Sequence, residues 1–129
     1  AWNSGTSQIV PVDADTVADS ISADSPSDGF RALRAVRETG GVFITVTDEA
    51  ILVAMSALAR ESGVFVEPAA ASVYAGWLEL VVRQRIAPDE QVVLVITGHG
   101  LKDTDAALQI TDSVPTIESS LVALRAALK

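Results

Sequence analysis

Residues 91–103 read QVVLVITGHGLKD, and this stretch carries the clearest indication of the fold. Its first part, residues 92–96, is an unbroken apolar run between the polar side chains of Gln91 and Thr97. Such a run is typical of a strand that is covered on both faces, as in a parallel sheet. Two glycines then flank His99, and this spacing permits a sharp turn directly after the strand.

The chain around this stretch predicts an alternation of helices and strands. Residues 42–46 form a second short run of β-branched and aromatic side chains, which predicts another strand. Helical periodicity and capping residues predict four helices, over residues 27–38, 48–62, 68–85 and 116–128. Residues 106–115 are predicted to be a loop. The order of helix, strand, helix, helix, strand and helix indicates an α/β fold with parallel strands.

The predicted sheet is incomplete, because two strands are too few for a stable open sheet. We therefore expect an α/β domain that is part of an open parallel sheet and incomplete on its own. The missing strands would come from another part of a longer chain or from another copy. The chain begins at Ala1 without an initiating Met, so we expect that it was processed, tagged or cut from a longer one.

Three stretches of the chain differ in composition. Residues 1–30 contain five Asp and no Lys or Arg, and Gly, Pro, Ser and Asp are frequent, so we predict an irregular acidic arm. An arm of this length is unusual inside a compact domain, which suggests that it lies on structure outside the chain. Residues 31–105 form the α/β part, and residues 106–129 form a loop and a C-terminal helix.

The composition excludes several classes of function. The chain has no Cys and one His, so neither a disulfide scaffold nor a thiolate or His-rich metal site is expected. A formal charge of −8 disfavours binding to nucleic acid and to anionic membranes. No apolar run approaches the roughly 18 residues of a membrane helix, and residues 1–11 lack the features of a signal peptide. We expect a cytoplasmic protein whose ligand is a small molecule.

The turn after residues 92–96 is a candidate ligand site. In open α/β sheets, ligands bind beyond the carboxyl ends of strands, where Thr97 would present its hydroxyl. A hydroxyl both donates and accepts, so it can bind a neutral ring nitrogen. The spacing leaves a second interpretation open, in which Gly98 to Gly100 are a tight turn without a ligand. For His99, a hydrogen bond within the turn is favoured over a role as a general base.

A second candidate is Glu67, which precedes Pro68 and a run of small residues at the predicted start of a helix. The carboxylate of Glu67 could point into a site that adjoins this helix. Alternatively, Glu67 lies at the helix entry only because the helix dipole favours an acid there. Spacing alone favours the second interpretation.

These segments, in this order, resemble the C-terminal region of threonine synthase, a family of fold-type II pyridoxal-phosphate enzymes. The seven-residue stretch TGHGLKD is specific, whereas the Glu-Pro-Ala stretch at residue 67 is shared by several type II relatives. Thr104 departs from the family, which often has Pro at that position. The matching stretches are residues 18–21, 32–38 with the glycines at 40 and 41, 47–49 with Ile51, 59–69 and 97–103.

The resemblance implies a cofactor, a reaction and three cofactor-binding residues. Thr97 would hydrogen-bond the pyridine nitrogen of pyridoxal 5'-phosphate, Gly98 would line the same face, and Glu67 would lie near the ring. The parent enzyme would convert O-phospho-L-homoserine and water to L-threonine and phosphate. The fold implied is part of the large domain of a fold-type II enzyme.

The resemblance also implies that essential parts lie upstream of this chain. The family's Schiff-base lysine and its phosphate-binding loop precede the matched region, and Lys102 matches a different lysine of the motif. The other lysine is the terminal Lys129. No catalytic residue is therefore assigned, and the chain alone is expected to be inactive and to bind the cofactor weakly or not at all. The expected partners are the remainder of the parent enzyme, an amino-acid substrate and further copies in a homo-oligomer.

Two alternatives remain open from the sequence. The parent could be another fold-type II enzyme, such as a dehydratase or a related synthase, because the residues that would read the substrate's phosphate lie outside the chain. The chain could instead be a stand-alone, non-catalytic domain that binds a ligand or partner through its Gly-His-Gly turn. A well-behaved monomer with a closed sheet would favour the second alternative.

Overall fold

The computed structural model describes residues 1–111 and 116–128, and within them the chain is mainly helical. Five α-helices follow one another along the chain, and two 3-10 turns lie at Asp19–Ile21 and Gly100–Lys102. The α-helices are α1 (Gly29–Glu38), α2 (Asp48–Ser62), α3 (Pro68–Val82), α4 (Thr104–Gln109) and α5 (Leu121–Ala127).

Helix α2 begins and ends where the sequence predicts. The Thr47 hydroxyl accepts a hydrogen bond from the Ala50 backbone N–H at 3.2 Å, which satisfies one of the donors that a helix start leaves without a partner. At the other end, Gly63 adopts a left-handed conformation with φ of 71°, which terminates the helix. Both signals are local, so the prediction of α2 is confirmed.

The other predicted helices differ in their ends. Helix α3 starts at Pro68 as predicted but ends at Val82, and Gln84 adopts a positive φ of 54° soon afterwards. Helix α1 begins at Gly29 rather than at residue 27. Helix α5 begins at Leu121 rather than at residue 116, because Ser120 caps it by accepting from the Ala123 N–H at 3.1 Å.

The predicted loop over residues 106–115 is wrong in its first part. Helix α4 occupies Thr104–Gln109, and the Asp103 carboxylate caps it by accepting from the Ala106 N–H at 2.9 Å. The helix is short, and Ala106 is its one buried residue, so it has almost no apolar periodicity. Residues 112–115 of the predicted loop, and residue 129 of the predicted last helix, lie outside the described residues.

Neither predicted strand is a strand in the structure, and no parallel sheet is present within residues 1–111 and 116–128. Residues 42–46 and 92–96 are irregular there, and the one β-bridge is an isolated antiparallel pair between Val66 and His99. A strand requires neighbours for its backbone N–H and C=O groups. In residues 92–96, Val93 and Val95 expose 87% and 67% of their surface. The apolar pattern therefore predicted a burial that the chain alone does not supply.

The core lies between α2 and α3 and is built mostly from small side chains. Met55 of α2 and Val66, just before α3, are the largest fully buried residues. Around them pack Ala18, Ile51, Ala54, Leu58, Ala69, Ala70, Ala71, Ala75 and Ala106. Alanines let the two helices approach closely but bury little apolar area each. Among the described residues, no helix combines the length and the apolar character needed to cross a bilayer.

The chain exposes more surface than a compact protein of its size. Its accessible area is 9683 Å². A compact monomer of 13.4 kDa exposes roughly 6,500 Å². The chain thus exposes about half as much again, and large apolar side chains are among the exposed groups, such as Val82 at 76% and Val93 at 87%.

Candidate functional site

The two segments that the sequence singles out lie side by side in the structure. The Glu67 backbone N–H donates to the Gly98 carbonyl at 3.1 Å, and the Gly100 N–H donates to the Phe65 carbonyl at 3.1 Å. Between these two hydrogen bonds, Val66 and His99 form the isolated antiparallel bridge. The turn at residues 97–102, here called the threonine turn, is therefore attached to the chain that leads into α3.

Close packing explains why this turn contains two glycines. A Cβ atom on Gly98 would overlap the carboxylate of Glu67, and a Cβ atom on Gly100 would lie 2.5 Å from the Phe65 ring. Neither glycine has a positive φ. Gly98 and Gly100 are thus required by the side chains that cross over them, whereas the sequence had attributed them to a sharp turn and the approach of a ligand.

Glu67 lies at the N-cap position of α3, and its side chain is turned toward the threonine turn rather than onto the helix end. The residue is 5% exposed. Its Oε2 atom is 3.0 Å from the Lys102 Nζ atom and accepts a 3.3 Å hydrogen bond from the Ser20 hydroxyl. A buried carboxylate is tolerated only when it is paired and hydrogen-bonded, and these two partners meet that need.

Ser20 reaches Glu67 from the N-terminal arm, and the sequence analysis did not include it among the site residues. Its 3-10 turn is held in place by Asp48, whose carboxylate accepts from the Thr16 hydroxyl at 2.5 Å and from the Val17 N–H at 3.1 Å. Ala18, in the same segment, is buried in the core. The match of residues 18–21 to the related family was the one signal in the sequence that pointed to this segment.

Lys102 is the other residue whose role the sequence analysis missed. Its ammonium contacts both oxygens of Glu67, at 3.0 and 3.3 Å, while 62% of its side chain stays exposed. The pair borders a cleft of about 310 Å³ at the start of α3. The sequence offered one signal for this pair, which was charge. Lys102 is the one lysine of residues 97–103, and in the described structure Glu67 is the one buried acid.

Thr97 and His99 occupy different positions on the threonine turn. Thr97 is exposed to solvent at the end of residues 92–96. His99 accepts a hydrogen bond from the Leu101 N–H through Nδ1 at 3.1 Å, and its ring contacts the Phe65 ring edge-on at 5.6 Å. His99 therefore makes the hydrogen bond within the turn that the sequence favoured over a role as a general base.

The chain matches a family of enzymes over most of its length. A family model described as pyridoxal-phosphate dependent enzyme matches residues 1–98. The chain belongs to the pyridoxal-phosphate dependent enzyme family. The match reaches Glu67, Thr97 and Gly98 and ends before Lys102. The cofactor that the sequence resemblance implied, pyridoxal phosphate, is the cofactor of this family.

Curated relatives give a finer comparison. A threonine synthase from Methanocaldococcus jannaschii is 39% identical over 130 residues, which cover 100% of this chain and 32% of the relative. One from Methanosarcina acetivorans is 40% identical over 129 residues, with 99% and 32% covered. One from Mycobacterium leprae is 41% identical over 110 residues, with 85% and 31% covered. The resemblance to threonine synthases is confirmed, and the chain spans about a third of the length of these relatives.

The residues of the threonine turn fit one end of the cofactor. The exposed hydroxyl of Thr97 is carried by a backbone that two hydrogen bonds anchor, so it suits a ring nitrogen that needs a single polar partner. The part of the chain that the structure describes offers no second lysine, and the ammonium of Lys102 is paired with Glu67. Among the described residues, no unpaired lysine is therefore available for the aldehyde end of the cofactor.

Proposed function

We propose that this chain is part of a pyridoxal-phosphate enzyme of the threonine synthase type, which converts O-phospho-L-homoserine and water to L-threonine and phosphate. The observation that carries the proposal is the similarity to threonine synthases along the entire chain, at 39% identity to the Methanocaldococcus jannaschii enzyme. Because the chain spans about a third of such enzymes, the reaction belongs to a longer protein that includes it.

Within that protein, Thr97 is the partner of the cofactor's ring nitrogen. When bound, the cofactor supplies the electron sink for carbanion chemistry. A hydroxyl partner does not force a proton onto the ring nitrogen as a carboxylate would, so Thr97 orients the ring while leaving it neutral. Gly98 continues the same face, and Glu67 lies behind it.

The exposed apolar surface supports a place for this chain within a larger sheet. Residues 42–46 and 92–96 become strands of an open parallel sheet once neighbouring strands satisfy their backbone groups. The same neighbours cover Val93 and Val95, which are exposed here. Residues 31–105 then form the C-terminal part of a fold-type II large domain, and residues 1–30 run along it with Ala18 inserted into the core.

The chain by itself is inactive under this proposal. The lysine that binds the cofactor covalently and the loop that cradles its phosphate lie in the remainder of the protein, which is the first partner of this chain. The uncovered apolar surface favours association between copies of this chain when it is isolated. We propose further that the complete protein is a homo-oligomer in the cytoplasm.

The test uses the full-length protein and replaces Thr97 by Ala, with Thr97→Ser as the matched control that keeps the hydroxyl. Loss of one hydrogen bond should weaken cofactor binding roughly 2- to 10-fold. We expect Thr97→Ala to shift the cofactor's absorbance and lower the release of phosphate from O-phospho-L-homoserine. Thr97→Ser should behave like the unmodified protein. Stability should change little, because Thr97 is exposed.

Three results would contradict the proposal at different levels. An unchanged absorbance and affinity in Thr97→Ala would remove Thr97 from the cofactor site. A full-length protein that binds the cofactor but releases no phosphate, and instead deaminates serine or threonine, would be a dehydratase. A full-length protein that binds no pyridoxal phosphate would favour a non-catalytic binding domain.

A further inference from the structure

We propose that Lys102 is a positioning residue for Thr97. Its ion pair with the buried carboxylate of Glu67 holds the threonine turn against the start of α3 and thereby fixes where the Thr97 hydroxyl lies. The inference rests on the role proposed above for Thr97. Lys102 acts through the turn and contacts neither the cofactor nor the substrate.

The backbone alone holds the threonine turn weakly. Its two hydrogen bonds to residues 65 and 67 flank a single isolated bridge, with no continuing ladder among the described residues. An isolated bridge lacks the cross-strand side-chain pairs that stabilise a sheet. The turn therefore depends on side-chain anchors to stay in one position.

The carboxylate of Glu67 is such an anchor, because it contacts the turn at both ends. At one end it lies over Gly98, so closely that no larger residue fits there. At the other end it binds the ammonium of Lys102 at 3.0 Å. Gly98 adjoins Thr97 directly, so a shift of the carboxylate moves the backbone beside the Thr97 hydroxyl.

Ser20 connects this anchor to the core. Its hydroxyl donates to the same oxygen of Glu67 that Lys102 contacts, at 3.3 Å. The arm that carries Ser20 is fixed to the first turn of α2 through Asp48. The position of the Glu67 carboxylate is thus set by α2 and α3, which contain most of the core. Lys102 binds this carboxylate and thereby holds the threonine turn in a fixed place relative to the two helices.

The charges around Lys102 oppose the alternative that it binds an anionic group of a ligand. The cleft beside it is lined by the side chains of Asp19, Glu67 and Asp103, and Lys102 is its one cation among the described residues. Three acidic residues and one lysine give the lining of the cleft a net negative charge, which disfavours the binding of phosphate. The ammonium is moreover already paired with Glu67.

The experiment is a double-variant cycle in the full-length protein, with cofactor affinity and absorbance as readouts. Lys102→Met should weaken cofactor binding roughly 2- to 10-fold, as Thr97→Ala does. If Lys102 acts through Thr97, the double variant should lose no more than Thr97→Ala alone. Lys102→Arg, which keeps the cation, should recover most of the loss. Arg83→Met, which breaks the exposed pair between Arg83 and Glu79, is the matched control and should leave binding unchanged.

A second readout follows the turn without the cofactor. In the apo protein, Lys102→Met should speed hydrogen exchange at the Glu67 and Gly100 amides, whose backbone hydrogen bonds attach the turn. Ser20→Ala removes one partner of the same carboxylate and should act in the same direction but less strongly. This milder variant carries the test if Lys102→Met does not fold.

The outcomes separate this inference from the proposed function. No effect of Thr97→Ala on the cofactor refutes the role of Thr97, whatever Lys102 does. An effect of Thr97→Ala without one of Lys102→Met, or losses that add in the double variant, refutes the positioning role alone. A Lys102→Met variant that raises only the KM for the substrate would make Lys102 a substrate ligand and would also refute it.

Discussion

At the scale of single residues, the site depends on a buried charge that is matched on two sides. The carboxylate of Glu67 is removed from water, and removing one partner of a buried ion pair leaves an uncompensated charge. Here Lys102 supplies the cation and Ser20 a hydroxyl. The carboxylate also fills the space above Gly98, so that charge pairing and close packing are two functions of one side chain.

The packing function predicts the effect of Gly98→Ala. The added methyl group would overlap the Glu67 carboxylate, and relieving such an overlap costs about 1–3 kcal/mol of unfolding free energy. Because the displaced carboxylate is the anchor of the threonine turn, the variant should also shift the absorbance of the bound cofactor. Both effects can be measured on the full-length protein, by denaturant unfolding and by spectroscopy.

Gly63→Ala is the matched control for this prediction. Gly63 has open space around its Cβ position but a positive φ of 71°, so alanine there costs about 1–2 kcal/mol in backbone strain. We expect a comparable loss of stability and an unchanged cofactor spectrum. Equal spectra for Gly98→Ala and the unmodified protein would show that the turn does not depend on the Glu67 carboxylate.

The sequence predicted the site only as far as motif and family resemblance reach. It brought forward Thr97, Gly98 and Glu67, and their roles toward the cofactor stay predictions. It did not predict the part of Ser20, because a hydrogen bond between residues 20 and 67 is a tertiary contact without a local signature. The pairing of Lys102 with Glu67 was missed for the same reason.

At the scale of elements, local signals were sufficient for helices and insufficient for strands. The cap at Thr47 and the left-handed Gly63 set both ends of α2. Helix α4 was missed because its cap, Asp103, precedes only six helical residues with one buried side chain. The runs at residues 42–46 and 92–96 have strand composition, yet a strand also needs partners, and the described chain provides none.

The contact between Tyr74 of α3 and Glu61 of α2 predicts that the Tyr74 phenol loses its proton at a higher pH than a free tyrosine does. Burial raises the pKa of the Tyr74 phenol above its ordinary value of 10.0, and the charge of Glu61 and a hydrogen bond to it act in the same direction. Tyr74 is the one tyrosine of these 129 residues, so its phenolate absorption in the ultraviolet reports this group alone. We expect Glu61→Gln to lower the pKa only partly, since burial, the larger cause, remains.

The raised pKa of Tyr74 makes the free energy of unfolding depend on pH. The folded chain holds the phenol proton more tightly than the unfolded chain does. The contribution to stability is therefore fully present below about pH 10 and is lost as the pH rises through the raised pKa. The same chain unfolded in urea is the control and should titrate near the ordinary value. A folded chain that titrates like the unfolded one would show that neither burial nor Glu61 acts on the Tyr74 phenol as described.

At the scale of the whole molecule, exposed apolar surface is the dominant property. The 9683 Å² of accessible surface exceeds by about half what a compact protein of this mass exposes. The excess is of the size that obligate interfaces bury. Part of this exposed apolar surface lies in the two runs whose sequence pattern predicts strands, at Val42, Phe43, Val92, Val93 and Val95. For that part, the pattern and the surface point to the same missing neighbours.

Substitution of Val93 tests this conclusion, because its effect should be favourable in the isolated chain and unfavourable in the full-length protein. Residues 1–129 produced alone should bind a hydrophobic dye and self-associate, and Val93→Thr should reduce both, because Val93 is 87% exposed there. The same substitution should alter the stability of this chain by less than about 0.5 kcal/mol. In the full-length protein, where Val93 would lie in a covered strand, a buried hydroxyl should cost about 1–3 kcal/mol. A monomeric chain that binds no dye would show that its apolar surface needs no further cover. A full-length protein whose stability is unchanged by Val93→Thr would show that no strand covers Val93, because only a neighbouring strand makes the added hydroxyl costly there.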